Sequence, residues 1–234
     1  SIVSEELGEF VEILPPQKRV GEHWYLGTAD AVYQNLYSVT REEPQQVLIL
    51  SGDHVYKMNY AEMVDFHQAS QADVTVSVIE MDRERAKGFG IVEVDAHDRI
   101  IGFEEKPLRP KPIPGNPARA YVSMGIYLFS RQVLEDVLIE AARRQGSTHD
   151  FGRDVIPAIV DRANVFAYNF KDKSKAQAEY WRDVGTLDAY YEANMDLVQV
   201  TPEFNLYERG WPIRTYHEQW PPAKTVFADE ATGR

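Results

Sequence analysis

The 234-residue chain contains no cysteine. Disulfide bonds, thiolate catalysis and cysteine-ligated metal sites are therefore excluded, and the composition is compatible with a reducing cytoplasm. No apolar run approaches the roughly 18 residues that a membrane-spanning helix requires, so we expect no membrane partner. The sequence also shows no signal peptide or lipidation motif, and a cytoplasmic location is expected.

Basic residues are outnumbered: 25 lysines and arginines stand against 37 aspartates and glutamates, which gives a formal net charge of -12. Proteins that bind nucleic acid or anionic membranes without specificity need a basic face, so neither partner is expected. The net charge still allows a small phosphorylated ligand to be held in a local basic pocket. The hydrophobic fraction of 44% is enough for a sizeable core.

Several catalytic signatures are missing from the sequence. It has neither G-x-G-x-x-G nor G-x-x-x-x-G-K-[ST], which argues against hydride transfer on a bound dinucleotide and against a P-loop ATPase. It has no G-x-S-x-G nucleophile turn. The six histidines show no metal-ligand spacing such as H-E-x-x-H. These absences disfavour nucleophilic catalysis and a histidine-ligated metal centre.

Helical and strand periodicities alternate between residues 28 and 172. This alternation predicts an α/β domain with a mainly parallel sheet that is covered by helices on both faces. The apolar run at 47–50 is typical of a strand buried on both faces. Helices are predicted over 28–39, 60–70, 133–142, 155–162 and 186–200, and strands over 47–50, 74–79, 90–94, 100–104, 121–129 and 165–170. Five prolines predict a loop over 107–117.

Three separate polar clusters are interpreted as strand ends, and ligands bind beyond the carboxyl ends of strands in sheets of this kind. A lysine can hold a phosphate, a carboxylate can accept sugar hydroxyls, and two carboxylates can share one Mg²⁺. Ordinary structural roles explain the same residues: the aspartates as turn formers or helix caps, and the lysine cluster as a solvated charged turn. The residues alone leave both interpretations open. The clusters are "SGDH" (51–54), "FEEKP" (103–107) and "YWRDVGT" (180–186).

Longer stretches occur in the order expected of bacterial ADP-glucose pyrophosphorylases, the glucose-1-phosphate adenylyltransferases, and the resemblance covers nearly the whole chain. "WYxGTADA" and "WRDVGT" together are specific to that family, whereas "GD" and "EKP" recur in sugar-nucleotide pyrophosphorylases generally. The matching stretches are "WYLGTADAV" (24–32), "GDHVYKMNY" (52–60), "GFGIVEVD" (88–95), "FEEKP" (103–107), "SMGIYLF" (123–129), "HDFGRDVIP" (149–157), "YWRDVGTLDAYYEANMDL" (180–197) and "WPIRTY" (211–216).

The resemblance implies a Rossmann-like nucleotidyltransferase domain over residues 1–200, incomplete at its N-terminus. Residues 201–234 are then expected to be a linker towards a left-handed β-helix domain. The family's glycine-rich "GGxGxRL" loop and its β-helix do not occur in this sequence. The chain is therefore expected to be an internal fragment that is inactive alone, and the full-length protein is expected to be a homotetramer.

The resemblance also implies a reaction, in which ATP and α-D-glucose 1-phosphate give ADP-glucose and pyrophosphate with Mg²⁺ as cofactor. This reaction is the first committed step of glycogen synthesis. By match to the family motifs, Asp53 and Asp183 are the catalytic, metal-binding carboxylates. The glucose 1-phosphate contacts match Tyr25, Gly90, Glu105, Lys106 and Ser123, and the nucleotide contacts match Gly27, Thr28 and Ala29.

Three other functions remain open. One is a pyrophosphorylase that uses UTP or dTTP, and a second is a non-catalytic regulatory subunit of the same fold. Such a subunit is expected to have lost metal or sugar-phosphate residues, whereas Asp53, Lys106 and Asp183 are all present. The third is a plain α/β binding domain whose aspartates only cap helices.

Overall fold

The computed structural model describes residues 11–16, 24–172 and 177–213. Every predicted helix and strand is present, although the first predicted helix is broken at Asn35 and the one predicted over 155–162 is short. The helices are α1 (Thr28–Gln34), α2 (Leu36–Thr40), α3 (Tyr60–Ala69), α4 (Arg131–Arg143), α5 (Ile156–Ile159) and α6 (Leu187–Leu197). The strands are β1 (Gln46–Ile49), β2 (His54–Tyr56), β3 (Val74–Asp82), β4 (Gly90–Val94), β5 (Ile100–Glu105), β6 (Arg119–Ser130), β7 (Val165–Asn169), β8 (Lys171–Asp172), β9 (Gln177–Ala178) and β10 (Trp181–Asp183).

The main sheet has six strands, in the order β5-β4-β6-β3-β7, and β1 also pairs with β6. Among the described strands of this sheet only β3 and β7 pair in parallel, and the other ladders are antiparallel. The prediction of a mainly parallel sheet was therefore wrong. The strands β1, β3, β4 and β7 do run in one direction, as crossover connections require. However, β6 runs in the opposite direction and lies between β3 on one side and β1 and β4 on the other.

Hydrophobic clusters cover both faces of the sheet, because alternate residues of a strand point to opposite faces. On β6, Met124 and Ile126 belong to the cluster that includes Met63 of α3. Phe129 belongs to the other cluster, together with Leu134 of α4. Helices therefore pack on both sides of the sheet. None of the helices in the described ranges is long and apolar enough to cross a lipid bilayer.

The strand predicted over 47–50 is less buried than expected. All four residues of β1 are half-buried, and Leu50, which follows it, is 43% exposed. The prediction of a strand buried on both faces was wrong for this element. In the described part of the chain β1 pairs only with β6, so its other edge has no strand neighbour.

The short strands β2 and β10 form a separate antiparallel ribbon, in which Trp181 pairs with Tyr56 and Asp183 pairs with His54. A two-stranded ribbon is marginally stable alone, so its position depends on what packs against it. Trp181 is buried in the cluster that covers one sheet face. The described residues after α6, through 213, contain no helix or strand, and the rest of the predicted linker lies outside the described residues.

Candidate active site

A cavity of about 560 Å³ opens beside the middle of β6, a volume within the ordinary range of small-molecule sites. The strand β1 pairs with residues 127–130 of β6, and β4 pairs with residues 121–122 along the same edge. Between these two ladders that edge of β6 has no partner strand among the described residues. Ser123 and Gly125 line the cavity at this gap. The site therefore lies where the strand paired with this edge of β6 changes from β4 to β1.

The backbone of β6 bulges at the same place. Three residues of β3, 76–78, face five residues of β6, 123–127. Gly125 has a φ of +66°, and a Cβ there would lie 2.5 Å from Ser51 Oγ. The Ser51 hydroxyl donates a hydrogen bond of 3.2 Å to the Gly125 carbonyl. Both the left-handed backbone and the close approach of Ser51 therefore require glycine at this position.

The two predicted metal-binding aspartates meet at this cavity. Asp53 precedes β2 and Asp183 ends β10, so the β2–β10 ribbon brings them together. The imidazole Nε2 of His54 lies 3.6 Å from Asp53 Oδ1 and 4.0 Å from Asp183 Oδ1. Both carboxylates line the cavity, and the Asp53 side chain is 69% exposed. Two carboxylates that are 130 positions apart in the sequence therefore each lie within 4.0 Å of the same ring nitrogen.

Neither aspartate caps a helix. The side chain of Asn59 caps α3, and that of Thr186 caps α6. Asp183 Oδ1 instead accepts a 2.9 Å hydrogen bond from the Gly185 backbone N–H within the preceding turn. The capping interpretation is therefore wrong for Asp53 and for Asp183, whereas Asp183 does have the role of a turn former through one of its oxygens.

The oxygen donors of Asp53 and Asp183 fit Mg²⁺. In the ranges that the structure describes, no group of three or more histidine, aspartate or glutamate side chains could hold a metal ion. Mg²⁺ commonly takes one or two protein carboxylates and completes its shell with water and substrate phosphates. A site with two carboxylates beside a cavity suits that mode of binding, and the identity of the metal stays a prediction.

Glu105 and Lys106 lie in the cavity wall where β5 ends. Lys106 has a φ of +52°, a strained value for a residue with a side chain. Its backbone N–H donates to the Phe89 carbonyl at 3.0 Å, and its Nζ lies 4.0 Å from Glu105 Oε1. Burial raises the pKa of Glu105, and the Lys106 charge opposes that rise. The strained backbone of Lys106 and the half-buried carboxylate of Glu105 disfavour the interpretation of this segment as a solvated charged turn.

Gly90 provides the space into which the Glu105 side chain extends. A Cβ on Gly90 would lie 2.7 Å from Phe103 Cζ and 2.9 Å from Glu105 Oε2. A Cβ on Gly152 would lie 3.1 Å from the same oxygen. The carboxylate is therefore enclosed between two glycines, and a side chain at either would displace it.

The predicted nucleotide residues lie at the start of α1, and Thr28 is the one of the three that lines the cavity. Ala29 is buried and donates its backbone N–H to the His149 carbonyl at 2.8 Å. A Cβ on Gly27 would lie 2.4 Å from that carbonyl oxygen, so the close approach of the two segments requires glycine. Tyr25 lies away from the cavity lining, and its hydroxyl accepts a 2.8 Å hydrogen bond from the Asn35 amide.

Among the cavity residues that were not predicted from the sequence are His54, Asp150 and Trp181. Asp150 accepts a 3.1 Å hydrogen bond from the Thr28 hydroxyl and two more from the backbone of the following turn. Trp181 is buried edge-on to His54, with ring centroids 5.2 Å apart. Each of the three lies within a stretch that resembles the family. These stretches were the sequence signal from which the three residues could have been predicted.

Seven of the ten predicted site residues line the cavity and three do not. The seven are Thr28, Asp53, Gly90, Glu105, Lys106, Ser123 and Asp183, and the three are Tyr25, Gly27 and Ala29. The structure places these residues, and the roles assigned to them stay predictions.

Comparisons with known proteins give one consistent result. The profile described as nucleotidyl transferase matches residues 3–200. A glucose-1-phosphate adenylyltransferase of Koribacter versatilis is 54% identical over 230 residues, which cover 98% of this chain and 55% of that protein. The enzyme of the same name from Rhodopirellula baltica is 51% identical over 225 residues, covering 96% of this chain and 50% of that protein. The chain thus spans about half the length of the curated relatives that it matches.

Proposed function

The chain belongs to the nucleotidyl transferase family, and on this premise we propose that its cavity is the adenylyl-transfer site of a glucose-1-phosphate adenylyltransferase. In the proposed reaction the phosphate oxygen of glucose 1-phosphate attacks the α-phosphorus of ATP. The new bond gives ADP-glucose, and pyrophosphate leaves with the electrons of the broken bond. The reaction would commit glucose to glycogen synthesis.

One observation supports this proposal most strongly. Residues from separate motifs, each of which resembles the family in sequence, line one cavity. The two aspartates come from the β2–β10 ribbon, whereas the lysine and glutamate come from the end of β5. The names of the relatives, which share about half of their residues with this chain, agree with the same assignment.

The side chains at the end of β5 are suited to the sugar phosphate. The Lys106 ammonium is a compact positive charge that can bind the phosphate, and its side chain lines the cavity and is 56% exposed. The ionised Glu105 carboxylate can accept hydrogen bonds from glucose hydroxyls, because its oxygens are acceptors only. Binding both substrates in one cavity supplies the proximity and alignment on which in-line phosphoryl chemistry depends.

Asp53 and Asp183 are the residues that would hold Mg²⁺. When bound, this ion neutralises charge on the substrate phosphates and orients them. The two aspartates keep their carboxylates beside the cavity without using them as helix caps, which leaves the charges available to a cation.

The reaction is tested on the complete gene product with glucose 1-phosphate and, in turn, ATP, UTP and dTTP. We expect pyrophosphate release and a nucleotide sugar with ATP, and turnover at least about tenfold lower with the other two, since discrimination by one set of base contacts is worth about that much. Asp53→Asn should abolish turnover, whereas Asp65→Asn in α3, a residue outside the cavity lining, should leave it unchanged. Preference for UTP or dTTP would support the alternative pyrophosphorylase, and no turnover with any nucleotide would support a regulatory subunit.

Two further expectations belong to this proposal. The homotetramer rests on the family resemblance, and sedimentation velocity of the complete gene product would test it. The cytoplasmic location rests on the same resemblance and on the pathway, and cell fractionation would test it.

A further inference from the structure

The β2–β10 ribbon has two ends with different surroundings. Its front end carries Asp53 and Asp183 at the cavity, and its back end carries Lys57 and Tyr180. Asp53 and Lys57 are four residues apart, roughly 13 Å along an extended strand. Among the described residues no strand of the main sheet pairs with the ribbon, so packing and side-chain contacts determine the position of its two ends.

The back end is held by the segment 204–211, which follows α6 and which we call the strap. The Lys57 ammonium pairs with Glu208 Oε2 at 2.6 Å and donates to the Trp211 carbonyl. The same ammonium lies 4.6 Å from the centroid of the Trp211 ring. The Lys57 side chain is only 18% exposed, so this ion pair is screened by solvent less than most surface pairs are.

The partner strand is held from the same side. The ring of Tyr180 packs against Phe204 of the strap, with centroids 5.2 Å apart. Its hydroxyl donates to Asp196 Oδ2 of α6 at 2.9 Å, and Arg182 Nε donates to the same oxygen at 3.1 Å. Both strands of the ribbon are therefore held by contacts from α6 and the strap. Lys57 and Tyr180 make these contacts at the end opposite to the aspartates, and Arg182 makes its contact directly beside Asp183.

We propose that Lys57 is a positioning residue for the metal site, which acts by fixing the β2–β10 ribbon to the strap so that Asp53 and Asp183 keep the separation that one divalent cation requires. This inference rests on the proposed metal role of the two aspartates. Lys57 does not line the cavity. Its effect reaches the cavity through three residues of extended backbone, and a short ribbon without its anchor can shift or twist at both ends.

The test measures Mn²⁺ binding to the complete gene product by electron paramagnetic resonance of the free ion, without substrates. Lys57→Met should weaken Mn²⁺ binding about tenfold, the lower end of the loss seen when groups that orient metal ligands are removed. Lys57→Arg should restore most of that affinity, because a guanidinium can keep the ion pair and the aromatic contact. In the activity assay the Mg²⁺ concentration for half-maximal rate should rise in Lys57→Met, with the KM for glucose 1-phosphate little changed.

The Lys87–Glu84 pair is a matched control, because its ion pair is also 2.6 Å long but involves no residue of the ribbon. Lys87→Met should leave Mn²⁺ affinity unchanged. If Lys57→Met fails to fold, Glu208→Gln breaks the same contact from its more exposed side and should weaken Mn²⁺ binding in the same direction.

Wild-type Mn²⁺ affinity in both Lys57→Met and Glu208→Gln would overturn the inference, as would equal losses in Lys57→Met and Lys57→Arg. Absence of saturable Mn²⁺ binding in the wild type would overturn it together with the metal assignment. A wild-type protein that binds Mn²⁺ but makes no nucleotide sugar would contradict the proposed function alone, since the manganese measurement does not depend on turnover.

Discussion

At the scale of single residues, the contacts of Asp183 argue against a role as helix cap and leave a role as metal ligand open. An aspartate just before a helix is commonly an N-cap, and asparagine caps about as well. Here Thr186 is the cap of α6, and Asp183 uses one oxygen for a turn hydrogen bond to Gly185. An asparagine can keep that turn through its amide oxygen, so Asp183→Asn removes the charge with little change in shape.

We therefore expect Asp183→Asn to lower kcat by at least about a hundredfold and to raise the Mg²⁺ requirement, because the metal loses a charged ligand. Steady-state kinetics over a range of Mg²⁺ concentrations measures both effects. Asp188→Asn, in the exposed first turn of α6, is the control and should behave like the wild type. Wild-type turnover with unchanged Mg²⁺ dependence in Asp183→Asn would remove Asp183 from the metal site.

Some residues of the cavity could be predicted from the sequence and others could not. Four of the predicted site residues stand in short motifs at strand ends, where a polar residue is conspicuous. They are Asp53, Glu105, Lys106 and Asp183. Asp150 follows no predicted strand, and its hydrogen bond joins it to Thr28, which lies 122 positions away. Contacts over such separations depend on packing, which local sequence patterns do not encode.

At the scale of secondary structure elements, the bulge of β6 coincides with the gap between β1 and β4 where the cavity lies. Gly125 lies within it at a φ of +66°, and Gly115, in the proline-rich loop, has a similar φ of +79°. A Cβ at Gly115 meets nothing within 4 Å, whereas one at Gly125 would lie 2.5 Å from Ser51 Oγ. Substitutions at the two glycines can therefore distinguish the cost of backbone strain alone from that of strain together with a steric clash.

Gly115→Ala should destabilise the fold by about 1–2 kcal/mol, the cost of a left-handed backbone for a residue with a side chain. Gly125→Ala should lower the free energy of unfolding by more than that amount, because Ser51 must also move. It should also weaken the binding of glucose 1-phosphate. Urea unfolding and calorimetric titration of both variants measure these effects. Equal stability losses, with unchanged sugar-phosphate binding in Gly125→Ala, would contradict the account of the bulge.

The sequence predicted the presence of the elements but not how they pair. A strand was expected over 121–129, and β6 occupies Arg119–Ser130. Alternating helices and strands correctly indicated that β1 and β3 run in the same direction. They could not indicate that β6 lies between the two with opposite direction, because strand order is set by contacts that are distant in sequence.

At the scale of the whole molecule, stability should depend on pH through a buried histidine remote from the cavity. His67 is 2% exposed, and its Nδ1 lies 2.8 Å from Thr75 Oγ1. Burial lowers the pKa of His67 below its ordinary value of 6.5, and the nearby Asp73 carboxylate opposes that shift. The folded state therefore binds this proton less readily than the unfolded state does.

The free energy of unfolding should consequently fall as pH drops below 6.5, by up to about 1.4 kcal/mol per pH unit, until the folded-state pKa is reached. Urea denaturation between pH 8 and pH 5 measures the slope. His67→Gln should flatten the profile over that range, and His97→Gln, in the exposed turn between β4 and β5, should not. The same slope in the wild type and in His67→Gln would assign the pH dependence to another group.

Calorimetric titration of glucose 1-phosphate tests most directly whether this cavity binds the sugar phosphate through the charge at the end of β5. Lys106→Ala should weaken binding by roughly 30- to 900-fold, corresponding to about 2–4 kcal/mol for a charge-assisted phosphate contact. Lys111→Ala removes a similarly exposed lysine five residues away, which pairs with Glu93 and does not line the cavity. It should bind like the wild type. Equal affinity of Lys106→Ala and Lys111→Ala for glucose 1-phosphate, or no binding by the wild type, would contradict the account.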